Sequence, residues 1–121
     1  MFKGFVLSES LNNPTLLNDF GKTYVRVEEH PESPEAPFWH LFKIEVKDEE
    51  IEQVAEQVAA EMKYGWYAHF WNNEVVYVCF PGKVFRIPHE VQWSSEEYQQ
   101  VKQYGAEHGV KERYLDFWIE D

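Results

Sequence analysis

The segment from residue 66 to residue 87 most constrains what this chain can fold into. It consists of three apolar runs, WYAHFW, EVVYVCF and KVFRI, which are separated by Asn72-Asn73 and by Pro81-Gly82. Short runs rich in β-branched and aromatic residues between such turns are typical of antiparallel strands. Two-residue turns at these sites predict that Trp71 faces Glu74 and that Phe80 faces Lys83.

This register places large apolar side chains on both faces of the three strands. One face carries Tyr67, His69, Trp71, Val76, Val78, Phe80, Phe85 and Ile87, and the other carries Trp66, Ala68, Phe70, Val75, Tyr77, Cys79, Val84 and Arg86. Two amphipathic helices can cover one face, but monomers rarely expose apolar patches above a few hundred Å² on another. We therefore expect the second face to be covered by the chain itself, by a second copy of the chain, or by a ligand.

Hydrophobic periodicity predicts the other elements. The predicted strands are residues 3–9, 23–28 and 39–47, and the predicted helices are residues 14–20, 48–62 and a last one that begins with a capping box at Ser94 and Glu97. In the strand at 23–28 we expect Val25 and Val27 to face inward. The chain is predicted to be one α+β domain, residues 1–121, with an antiparallel sheet of five or six strands and two main helices packed on one face. The order of elements also permits a ferredoxin-like core with an extra hairpin and a C-terminal helix.

Charge and cysteine content exclude several classes of function. The chain has 11 Lys and Arg against 22 Asp and Glu, a formal net charge of −11. Such a charge disfavours binding to duplex nucleic acid or to anionic lipid, which both require basic surfaces. No apolar run is long enough to span a membrane, and residues 1–8 lack the features of a signal peptide. With Cys79 as the single cysteine, a cytoplasmic location is expected.

The histidines and aromatic residues provide the candidate site residues. No pair of histidines has the spacing of a metal site, so neither a metal nor a cofactor is expected. His69 is the candidate general base, because a partly buried imidazole can be tuned for proton transfer, although a structural histidine is the simpler interpretation. The ligand-binding candidates are Trp39, His40, Trp71, Tyr77 and Arg86. Packing in the core, or at the sheet edge for Arg86, is the alternative for each of them.

Several segments resemble a group of small uncharacterised bacterial and archaeal proteins of similar length. The similar segments are GFVLSESL at 4–11, GWYAHFW at 65–71, KVFRI at 83–87, Tyr104-Gly105 and LDF at 115–117. The resemblance implies a free-standing cytosolic protein. It carries no catalytic residue, cofactor or substrate.

Three hypotheses on function follow. The first is a non-enzymatic cytosolic module, expected to be a homodimer, that binds a small ligand or a protein partner. The second is an enzyme on a small anionic or aromatic substrate, with His69 as base and Tyr77 or Arg86 orienting the substrate. The third is a module that binds a basic protein through its acidic surface. Added salt would weaken this binding.

Overall fold

The computed structural model describes residues 1–89 and 95–116, and within them six strands form one sheet. The strands are β1 (Phe2–Leu7), β2 (Gly21–Glu29), β3 (Phe38–Val46), β4 (Ala68–Trp71), β5 (Val75–Phe80) and β6 (Lys83–Pro88). The helices are α1 (Ile51–Glu61) and α2 (Glu96–Glu107), and 3-10 helices lie at Ser8–Ser10, Pro14–Asp19, Asp48–Glu50 and Glu112–Tyr114. All neighbouring strands are antiparallel, so the predicted α+β class with a single antiparallel sheet is confirmed.

The strand order is β2-β3-β1-β4-β5-β6, with β1 between β3 and β4. A ferredoxin-like core would have the same order in its first four strands. Here, however, the connection from β1 to β2 contains 3-10 helices instead of an α-helix. The ferredoxin-like comparison therefore stays a prediction.

The first hairpin differs from its predicted register by two residues. Trp71 faces Val76 instead of Glu74, because the side-chain oxygen of Asn72 accepts hydrogen bonds from the backbone N–H groups of Glu74 and Val75, at 2.8 and 2.9 Å. This bonding widens the turn. A shift of two residues leaves every side chain on its predicted face, since the period of a strand is two. In the second hairpin Phe80 faces Lys83, as predicted.

Both faces of the sheet are apolar, and each is covered by one helix. The face that carries Phe70 and Tyr77 is called the first face below. On this face α1 packs through residues that include Val54 and Val58. The face that carries Val76 and Val78 is called the second face below. On this face α2 packs through Tyr98 and Val101. The prediction that both helices pack on one face is wrong, because β5 is buried along its whole length and each helix has a single apolar stripe.

The start of α2 also differs from the prediction. The N-cap is Ser95, whose hydroxyl accepts a hydrogen bond from the backbone N–H of Tyr98 at 3.0 Å. The predicted cap, Ser94, lies outside the described residues. A cap one residue later keeps Tyr98 and Val101 on the inner side of the helix, as the periodicity predicts.

The edge strand β2 corrects a further expectation. Val25 and Val27 are 51% and 57% exposed, although their alternation predicts that they face inward. Their face is that of α1, but α1 packs over β4, β5 and β6 at the other side of the sheet. On the opposite face Lys43 is only 5% exposed, and its ammonium lies 5.7 Å from the centre of the Tyr24 ring.

Candidate functional site

The part of the second face beside α2 forms the floor of a cleft of about 570 Å³. Phe5, Leu41 and His69 lie in this floor, on three adjacent strands. Residues 30–37, called the proline loop below, provide one wall through residues 32–35. Residues 109–116, called the C-terminal segment below, provide another. The rings that line the cleft are those of Phe5, Trp39, Tyr64, Trp66, Tyr67, His69 and Tyr114.

The floor follows directly from strand alternation and register. Phe5 of β1 faces His69 of β4, and Leu7 faces Leu41 of β3, so these side chains lie side by side on the second face. Trp39 lies on the same face, two residues before Leu41. The apolar floor is thus fixed by strand register and does not depend on a loop conformation.

Hydrogen bonds hold the C-terminal segment against the sheet and α2. The hydroxyl of Tyr67 donates to the backbone carbonyl of Tyr114. The hydroxyl of Tyr98 donates to the carbonyl of Leu115 at 3.0 Å, and the Leu115 side chain is buried. Lys102 of α2 lies 3.1 Å from a carboxylate oxygen of Glu112. The wall that this segment provides is therefore preformed.

His30, the first residue of the proline loop, contacts three residues that line the cleft. The imidazole of His30 is stacked on the indole of Trp39, and its nitrogens lie 3.1 Å from Glu32 and 3.0 Å from Glu28. Its backbone N–H donates to the carbonyl of Pro37 at 2.7 Å, which closes the loop. The sequence pattern does not identify His30 as a candidate site residue. The signal that could have identified it is Glu28, two residues before it, because residues two apart in an extended chain share a side. Glu32 reaches it through the turn that follows.

The indole N–H of Trp39 is buried and has no hydrogen-bond partner in the part of the chain that the structure describes. The rings of Trp66 and Tyr114 lie 5.2 Å from the Trp39 ring, and His30 covers one of its faces. A buried donor without an acceptor costs about 1–3 kcal/mol. Trp39 therefore holds an unsatisfied donor beside the cleft.

Opposite charges around the cleft are close to balance. The acidic residues of the lining are Glu28, Glu32, Glu35 and Asp116, and the basic residues are Arg26, Lys111 and Arg113. Arg26 contacts Glu28 at 2.9 Å, and the guanidinium of Arg113 lies 4.9 Å from the centre of the Tyr114 ring. The cleft thus lacks the excess of one charge that would select a strongly charged ligand.

Three of the six candidate site residues lie at or beneath the cleft. Trp39 and His69 line it. His69 is 6% exposed and packs against the Phe5 ring. Trp71 lies beneath the floor, where its ring contacts Phe5 and stacks on His69 with centroids 5.3 and 5.4 Å apart.

The other three candidates lie away from the cleft. Tyr77 is buried on the first face against Phe2, and Arg86 is exposed on β6 opposite Tyr77. His40 alternates with Trp39 and therefore faces the other way, where Glu9 accepts a hydrogen bond from its backbone N–H at 2.6 Å. Neither Tyr77 nor Arg86 is brought to His69.

Glu9 and His40 form a separate polar contact outside the cleft. A carboxylate oxygen of Glu9 lies 2.7 Å from the ring nitrogen Nδ1 of His40, and Ser8 donates to the same carboxylate at 3.0 Å. Burial alone would raise the pKa of Glu9, but these hydrogen bonds hold its pKa below the ordinary value. The contact joins the 3-10 helix after β1 to β3.

Among the described residues, no cluster of three His, Cys, Asp or Glu side chains is suited to hold a metal ion. Nor is any helix in the described ranges long and apolar enough to cross a membrane. No family model, curated protein or solved structure matches the chain.

Proposed function

We propose that this protein is a non-enzymatic module that binds a small, planar, largely apolar molecule in the cleft. The observation that supports the proposal is a preformed cleft of about 570 Å³ lined by seven rings. Cavities of roughly 300–1,000 Å³ with mostly apolar linings are typical of small-molecule sites. Aromatic linings favour flat ligands, because ring faces and edges pack best against other rings.

Binding is favoured over catalysis by the positions of the polar residues. His69 lies in the floor, but Tyr77 and Arg86, one of which the catalytic hypothesis needs beside it, both lie on other surfaces. Glu28 contacts both Arg26 and His30. These contacts make the wall rigid, as a binding site requires.

The chain itself covers much of the second face. With α2 and the C-terminal segment packed there, the two-faced sheet no longer requires a second copy to shield it. The homodimer, the cytoplasmic location and the partner with a basic surface stay predictions. The cleft is the part of the second face that a ligand can still cover.

Naphthalene and quinoline, two planar bicyclic molecules of one shape, provide the test. Each is titrated into the protein, and binding is followed by heteronuclear NMR. Leu7 lines the floor, so Leu7→Trp fills the cleft and should weaken binding about tenfold or more, which corresponds to the loss of roughly 1.4 kcal/mol. Val27→Trp adds the same side chain at an exposed site on the first face and should leave binding unchanged.

Two outcomes would overturn the proposal. One is that neither probe shifts resonances of cleft residues. The other is that Leu7→Trp and Val27→Trp, each shown to be folded by its thermal unfolding, bind the probes as the unchanged protein does.

A further inference from the structure

We propose that the cleft selects a neutral planar heterocycle that accepts a hydrogen bond from the indole N–H of Trp39. This inference deepens the proposed function and rests on it. Heterocycles with a ring nitrogen or a ring carbonyl have the required lone pair, and aromatic hydrocarbons do not. The donor Nε1 of Trp39 therefore restricts the ligand class to molecules that contain a hydrogen-bond acceptor.

The polar groups around Trp39 are otherwise satisfied. Tyr67 donates to the carbonyl of Tyr114, and both ring nitrogens of His30 contact glutamates. Of the described residues, Trp39 has the one buried side-chain nitrogen or oxygen without a hydrogen-bond partner. Buried polar groups in folded proteins are nearly always hydrogen-bonded, so an exception within a binding site points to a partner that arrives with the ligand.

The stacked His30 determines the side from which a ligand can reach Trp39. The two ring centres are 3.5 Å apart, so nothing can enter between them. Trp66 and Tyr114 lie at a wider 5.2 Å and at steep angles to the indole. Because Nε1 is shielded from solvent, one of these two rings shifts when the ligand binds.

The charges favour a neutral acceptor over a carboxylate or a cation. Three cationic and four acidic side chains line the cleft, so a ligand carboxylate would gain little net attraction there, in a protein of net charge −11. An organic cation would be attracted to the ring faces, but a quaternary nitrogen has no lone pair for the Trp39 N–H. A neutral heterocycle satisfies both the rings and the donor.

The test compares naphthalene, quinoline and N-methylquinolinium, which share one bicyclic shape. Only quinoline has a free ring nitrogen that accepts a hydrogen bond. Water solvates quinoline better than naphthalene, so the two affinities cannot be compared directly. The measured quantity is the ratio of the quinoline affinity to the naphthalene affinity, and this ratio is compared between the unchanged protein and Trp39→Phe. We expect the ratio to fall about five- to tenfold in Trp39→Phe, as for the loss of one neutral hydrogen bond. Trp71→Phe, which removes an indole that does not line the cleft, should leave the ratio unchanged.

A direct readout covers the case in which Trp39→Phe does not fold. The chain has five tryptophans, and the Trp39 indole N–H resonance should move downfield with quinoline but not with naphthalene. An equal response to both probes, or an unchanged ratio in Trp39→Phe, would refute the role of Trp39 while the binding function stands. Tightest binding of N-methylquinolinium would also refute it and would indicate a cation site. If no probe binds, the proposed function itself fails.

Discussion

The imidazole of His30 lies flat on the indole of Trp39, with ring centres 3.5 Å apart and planes 16° apart. The stack joins the residue that follows β2 to the start of β3, and Trp39 is the member of the stack that lines the cleft. A second stack of the same kind, His108 on Tyr104 with centres 3.9 Å apart, lies at the end of α2 and does not line the cleft. The two stacks make a matched pair for substitution.

His30→Ala should lower both the stability of the fold and the affinity of the cleft. The loss of the stack and of the contacts with Glu28 and Glu32 should cost about 1–2 kcal/mol in denaturant unfolding. His108→Ala should cost about 1 kcal/mol through its own stack. Only His30→Ala should weaken the binding of quinoline. Equal weakening by both variants would show that the proline loop does not shape the site.

Gly4→Ala tests the close packing at the centre of the sheet. A Cβ atom on Gly4 would overlap the Phe70 ring and would lie 2.8 Å from the carbonyl oxygen of His69, which the strand pairing holds in place. We expect a loss of about 1–3 kcal/mol of unfolding free energy, the usual cost of overpacking. Gly21→Ala, where a Cβ atom meets nothing within 4 Å, should stay within about 0.5 kcal/mol of the unchanged protein. Similar values for the two variants would contradict the close approach of β1 and β4.

Which residues share a face of the sheet could be predicted from sequence, and the placement of the helices could not. The faces of β4 and β5 survive the two-residue error at Asn72, because only the parity of the register decides them. The same parity places large apolar side chains on both faces of the sheet, so it also predicts that the second face is covered. The apolar stripe of α2, however, does not indicate which face of the sheet the helix packs on, because both faces carry large apolar side chains.

The cleft was harder to foresee because its walls come from distant parts of the chain. His30, Trp66 and Tyr114 meet around Trp39 through tertiary contacts that no local period encodes. Residue type and strand position alone identify Trp39 and His69 as candidates. Tyr77 and Arg86 satisfied the same criteria but lie elsewhere, because residue type does not reveal which apolar surface stays open.

Glu9 should make part of the stability depend on pH. Hydrogen bonds hold its folded-state pKa below the unfolded value, so its contribution is fully present above the unfolded value, which is about 4.3. That contribution is lost as the pH falls through the lower, folded-state value. Glu9→Gln should therefore lose about 1 kcal/mol near neutral pH and progressively less in acid, as measured by denaturant unfolding. Glu56→Gln, at an exposed position of α1, should differ little at any pH, and a Glu9→Gln deficit that persists in acid would contradict the mechanism.

Cys79 should be unreactive as long as the protein is folded. The side chain is fully buried in β5, and burial raises the pKa of its thiol, so the nucleophilic thiolate is scarce and inaccessible. Reaction with Ellman's reagent should then proceed only through unfolding and be slower than in concentrated guanidinium by about a thousandfold or more. Val27→Cys in a Cys79→Ala background places a thiol at an exposed site of β2 and should react at once. Rapid reaction of the unchanged protein under native conditions would mean that the β4–β5–β6 layer opens far more often than its burial between α1 and α2 allows.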